Sequence, residues 1–134
     1  IMRITNIEEI NKVFGREIGT KTIIDVSNIV KTSISAQYIF VRYMGPKFAI
    51  AFSGVDLEGV EEFVKTVKDE IEKLTLKKEQ VVKNKKTKKQ LIAHPRTNFI
   101  LATYYKGTGL EEVTKKLEEY LDDADKTESN INCI

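Results

Sequence analysis

The stretch Tyr38-Ile39-Phe40-Val41-Arg42-Tyr43-Met44-Gly45-Pro46-Lys47-Phe48-Ala49-Ile50-Ala51-Phe52 decides how this chain reads. Two apolar runs, residues 38–43 and 48–52, flank the break Met44-Gly45-Pro46-Lys47. Aromatic and β-branched side chains suit a pleated, buried surface, glycine relaxes backbone limits, and proline cannot donate to a ladder. The pattern predicts a β-hairpin, and it puts any functional site at the hairpin tip.

Upstream, Ile1-Met2-Arg3-Ile4 reads as a strand, and because Ile1 precedes Met2 the chain reads as an internal fragment of a larger protein. Asn6 and Glu9 have the spacing of a helix capping pair, and Ile7, Ile10, Val13 and Phe14 give the following helix one apolar face. Gly19 is placed to stop that helix in a left-handed conformation, and Thr20 to cap a second one. Ile23, Val26, Val30 and Ile34, with Ile29 beside them, form its stripe, and so many β-branched residues mean that burial must hold it.

Downstream, Asp56 is a cap for a third helix whose apolar stripe runs through Val60, Phe63, Val64, Val67, Ile71 and Leu74. Its other face, with Glu61, Glu62, Lys65, Lys68, Asp69, Glu70 and Lys73, reads as solvated. Residues 77–89 hold seven lysines against Glu79 alone. Phosphate contacts suit such a run, but no aromatic lies between the lysines to stack on bases, so an exposed loop or a lysine-guarded edge hairpin is the plainer reading. Residues 98–105 read as a further strand, Thr108 with Glu111 as a capping box, and Leu110, Val113, Leu117, Tyr120, Leu121 and Ala124 as one face of a last helix. Residues 125–134 read as polar and irregular. The order strand, helix, helix, strand, strand, helix, strand, helix predicts an α+β domain over residues 1–134, with a mostly antiparallel central sheet flanked by helices and the hairpin in its middle.

Composition bounds the function. With 134 residues, 41% hydrophobic and 31% charged, the chain has the balance of one globular domain, and a net charge of +2 is too small to imply a nucleic-acid or membrane partner by itself. No apolar run approaches the roughly 20 residues of a membrane span, and there is no leader pattern. Cys133, the single cysteine, has no internal partner for a disulfide, which suits the cytoplasm. His94, beside Pro95, lacks a Cys or His neighbour at ligand spacing and reads as a surface-loop residue.

Arg42-Tyr43-Met44-Gly45-Pro46-Lys47-Phe48-Ala49-Ile50 resembles the GGDEF signature of diguanylate cyclases. Ile10-Asn11, Phe14-Gly15 and Ile18-Gly19 match the family's helical Ile-Asn-Asp, Gly-His and Gly-Asp spacing, and Leu121, Ala124 and Asn130 match its final segment. The family's helix before the first strand, with its Asp-x-Leu-Thr-Gly-Leu segment, has no counterpart. The resemblance implies a nucleotidyl-cyclase-like fold with a ferredoxin-like core. Active members join two GTP molecules into cyclic di-GMP across a homodimer, using acidic side chains that hold Mg2+.

By the resemblance, the metal-binding Asp of the first strand falls on Arg3, the acidic pair of the signature on Pro46 and Lys47, and its first glycine on Met44. The guanine-reading Asp falls on Thr20, the late phosphate-binding Lys and Arg on Asp125 and Ser129, and the inhibitory product site on Ser35 and Tyr38. Only Asn11 matches a base-contacting residue, while Gly45 and Phe48 keep the hairpin. The resemblance therefore implies an inactive, metal-free GGDEF-like domain with no cofactor, a regulatory or protein-interaction module in bacterial signalling. Its expected partners are other proteins, flanking signalling domains or a second copy. One alternative is a metal-independent sensor of GTP or cyclic di-GMP that uses Arg3, Lys47 and Asn11. The other is a nucleic-acid-binding module acting through residues 77–89.

Overall fold

The shortest strand holds the centre of the sheet. The computed structural model describes residues 1–34, 38–81, 88–103, 107, 109–124 and 129–134. In chain order the elements are β1 Met2–Ile4, α1 Ile7–Phe14, α2 Arg16–Ser33, β2 Ile39–Met44, β3 Lys47–Ala51, α3 Leu57–Glu72, β4 Leu76–Val81, β5 Lys88–Ala93, β6 Thr97–Leu101, α4 Leu110–Asp123 and β7 Asn130–Cys133. The main sheet runs β2-β3-β1-β6-β7, antiparallel except for the β6–β7 pair. The fold is thus α+β with a mostly antiparallel sheet flanked by helices, and β4 and β5 form a separate two-stranded hairpin.

Alternation along the strands sends Met2, Ile4, Phe48, Phe99 and Leu101 to one face, where they form a single core with Val26 and Val30 of α2 and Val64, Val67 and Ile71 of α3. Phe48 is fully buried and stacks on Phe40 at 5.6 Å between ring centroids. The predicted stripes of α2 and α3 are the ones that pack here, and Asp56 caps α3 by accepting from Gly59 N at 2.8 Å. The opposite helix face is solvated and laced by Lys65–Glu61, Lys68–Glu72 and Lys73–Glu70 pairs.

Several local expectations are corrected. The β2–β3 hairpin is at the sheet edge, because β1 inserts between β3 and β6. Asn6 makes no cap hydrogen bond; its buried amide donates to His94 O at 2.9 Å and accepts from Arg96 N at 2.8 Å, tying the turn before β6 to the start of α1. The stop of α1 is Gly15, at φ +93°, whereas Gly19 and Thr20 lie inside α2, which begins at Arg16. Residues 130–133 form β7, although their sequence alternates weakly, and Tyr120 of α4 is half exposed. The β6 strand ends at Leu101; the predicted strand residues Tyr104 and Tyr105, and the predicted cap Thr108, lie outside the described residues.

Candidate functional site

The hairpin tip meets the end of β1. Gly45 takes φ +55° to close the turn, its carbonyl accepts from Arg42 Nε at 2.9 Å, and Pro46 O accepts from Ile4 N at 3.0 Å. Those bonds fix the register in which Arg3 and Lys47 are direct partners on neighbouring strands. Directly paired residues point to the same face, so two fixed cations stand side by side. The row continues across the sheet through Asn98, paired with Arg3, to Asn130, paired with Asn98.

The C-terminal end of α4 comes down on this row. Arg3 donates from Nη2 to Leu121 O at 2.9 Å and pairs through Nη1 with Asp122 Oδ1 at 3.2 Å. Its side chain is only 11% exposed, against 62% for Asp122, so the guanidinium is enclosed by the fold. A helix C-terminus presents unsatisfied carbonyls and partial negative charge, which a cation satisfies well. The Arg3 to Leu121 contact is missing from any sequence reading, since no local pattern tells where α4 docks.

Asn11 and Lys47 occupy separate surroundings. The Asn11 amide packs directly on Gly19, where an added Cβ would overlap its Oδ1, so this side chain serves the close crossing of α1 and α2. Lys47 is half-buried and, among the described residues, has no ion-pair partner. Phe48 belongs to the core, and the Met44 side chain lies outside the described ones. His94 is exposed, with Nδ1 at 2.9 Å from Leu74 O. The predicted lysine-rich segment falls on the β4–β5 hairpin, in keeping with a lysine-guarded strand pair, and residues 82–87 between its strands lie outside the described ones.

A divalent metal of the Mg2+ type requires oxygen donors, several of them anionic. The groups at the hairpin tip and the end of β1 are a guanidinium, an ammonium and a proline ring, and Asp122, the carboxylate that reaches Arg3, is paired with it. These residues do not fit such an ion. Among the described residues no cluster of three or more His, Cys, Asp or Glu side chains is placed to hold a metal. No helix among them is long and apolar enough to cross a membrane.

The comparisons with known proteins agree on the fold. A segment of 75 residues is 27% identical to the protein named "Probable diguanylate cyclase DgcT" of Escherichia coli strain K12, covering 56% of this chain and 17% of that relative. Among solved structures, the GGDEF domain of DgcB from Caulobacter crescentus, in complex with c-di-GMP, superposes with a TM-score of 0.74 at 15% identity, over 98% of this chain and 74% of that one. Diguanylate cyclase SiaD from Pseudomonas aeruginosa, in complex with its activator SiaC, gives 0.72 at 12% identity, over 99% of this chain and 47% of that one. The model of the family described as "Diguanylate cyclase, GGDEF domain" matches residues 1–130, and the chain belongs to that family.

Proposed function

We propose that this domain is a catalytically inactive GGDEF domain that serves as a regulatory or protein-interaction module. The observation that carries the reading is the Arg3–Lys47 pair, which puts two fixed cations on adjacent strands at the positions where the family resemblance places metal-binding acids. Phosphoryl transfer between nucleotides depends on metal ions that neutralise phosphate charge and activate the attacking hydroxyl. A site that repels the metal loses that contribution, while the fold stands on a core that involves neither cation.

The role of interaction module is supported by analogy with SiaD, whose structure is of a complex with an activator protein. The test is incubation of the purified domain with GTP and Mg2+ and chromatographic detection of cyclic di-GMP. No product is expected; metal-dependent turnover above a heat-inactivated control sinks the proposal. Calorimetric titration with GTP and with cyclic di-GMP, each with and without Mg2+, separates the module from a nucleotide sensor. Silence in all four favours the module, and binding that survives EDTA and is lost in Lys47→Glu favours the sensor.

A further inference from the structure

The small net charge of the chain conceals an uneven distribution. Residues 77–89 carry seven lysines and Glu79, a net +6, so a chain of net +2 is left with −4 over all its other residues. Much of that acid lies on α4, which has six acidic residues against Lys115 and Lys116. A polyanion is therefore attracted to one element and repelled by the remainder, which confines its contact to the β4–β5 hairpin.

The lysines of that hairpin occupy both of its faces. The pairing of β4 with β5 sets Lys77 opposite Ile92, Lys78 opposite Leu91, Gln80 opposite Lys89 and Val81 opposite Lys88. Residues directly opposite share a face and successive residues alternate, so the register puts Lys77 and Lys88 on one face and Lys78 and Lys89 on the other. The base of the ribbon is tied to the domain: His94 Nδ1 lies 2.9 Å from Leu74 O, and Asn6 donates to His94 O at 2.9 Å. From that base each strand runs six residues, about 17 Å, in a sheet of its own. Lys77 is exposed and Ile92 is 57% exposed, so solvent reaches the face they share.

The side-chain chemistry selects the partner. Residues 77–89 contain no arginine, so they lack the planar fork that pairs with carboxylates or with the edge of guanine. They contain no aromatic side chain on which an unpaired base could stack. Lysine supplies point charges, which suit the phosphates of a paired duplex and read no sequence. A flat anionic surface meets one face of a ribbon, whereas a groove has a phosphate backbone on either side. The major groove of B-form DNA, about 12 Å wide, admits a two-stranded ribbon, while that of an RNA helix is too narrow. We propose that the β4–β5 ribbon enters the major groove of duplex DNA, with Lys77 and Lys88 meeting the phosphates of one strand and Lys78 and Lys89 those of the other. This site is separate from Arg3 and Lys47, so the proposal stands whether or not the domain forms cyclic di-GMP.

The test is fluorescence anisotropy of the purified domain with a labelled DNA duplex of about 20 base pairs. Four phosphate contacts give log affinity against log salt a slope of about −3.6, so binding should weaken by about 100-fold or more between about 50 and 200 mM salt. Two unrelated duplex sequences should bind equally. Lys77→Gln with Lys88→Gln, and separately Lys78→Gln with Lys89→Gln, should each flatten the slope by about 1.8. Arginine at all four positions should keep the wild-type slope, which separates lost charge from a disturbed hairpin. No binding at the lower salt, or a slope unchanged in both double variants, overturns the proposal. So does an effect of one pair alone, because a ribbon with one working face lies on a surface and not in a groove. Tighter binding of an RNA duplex, or capture by phosphatidylserine vesicles without DNA binding, also overturns it.

Discussion

Replacing Arg3 by alanine separates a structural role for this residue from a nucleotide-binding one. The substitution removes a charge-assisted hydrogen bond to Leu121 O, a class of contact worth about 1.5–3 kcal/mol, and a pair with an Asp122 that is 62% exposed, worth at most about 1 kcal/mol. It also uncovers the aliphatic stem of a side chain that is 11% exposed. Against these stands Arg3 Nε, which is buried without a hydrogen-bond partner and lowers the worth of the native arrangement. A net loss of about 2–3 kcal/mol follows. At about 2 cal/mol/K of unfolding entropy per residue, a chain of 134 residues loses about 3.5 °C per kcal/mol, so the melting temperature falls by about 7–10 °C. Differential scanning calorimetry measures it, with Asp122→Ala as the reference. That variant keeps the Leu121 contact and falls by no more than about 3.5 °C. An Arg3→Ala chain that melts with the wild type, or an Asp122→Ala chain that loses as much, refutes the reasoning. A nucleotide titration that changes while stability does not returns Arg3 to a ligand-binding role.

Phe48→Ala opens a cavity in the core and costs about 3–5 kcal/mol in urea denaturation. Gly19→Ala drives a methyl into Asn11 and destabilises the α1–α2 crossing, and the loss shrinks when Asn11 is also made alanine; a cycle with no coupling removes that contact from the account.

What the sequence made legible was whatever local chemistry decides. The hairpin around Gly45-Pro46 and the α3 helix with its Asp56 cap both appear as read, because turn chemistry, a capping side chain and a long apolar stripe act over a few residues. The order of strands in the sheet was not legible. The three residues of β1 carry too little pattern to announce a central strand, and a hairpin rich in aromatics looks central wherever it lies. Asn6 shows tertiary structure overriding a local motif, its amide taken by His94 O and Arg96 N. Gly15 and Gly19 are equivalent helix stops in sequence, but one closes α1 at positive φ and the other admits Asn11 at a helix crossing. The candidate site divided the same way: the resemblance pointed to Arg3 and Lys47, and the register makes them partners, whereas the α4 carbonyl that holds Arg3 comes from 118 residues away in sequence.

The fold itself gives a reason for the cation at position 3, where the family resemblance expects an acid. In this fold the end of α4 meets the end of β1, so the side chain at position 3 faces a helix C-terminus and Asp122 together. Both favour a cation. A carboxylate there meets a carbonyl, a like charge and a partial negative pole, and the nearby Lys47 is one cation against all three. Arg3→Asp should consequently be less stable than Arg3→Ala, although aspartate is the residue the family resemblance expects. The added cost is about 1–2 kcal/mol, from one close like-charge contact under screening and the lost helix-end interaction. Arg3→Asp combined with Asp122→Ala should recover about half of it, while Arg3→Asp combined with Lys47→Ala should fall further. If Arg3→Asp instead matches or exceeds Arg3→Ala in urea denaturation, the helix end does not select the charge at position 3. Such a result would leave the basic residue without a structural reason to be there.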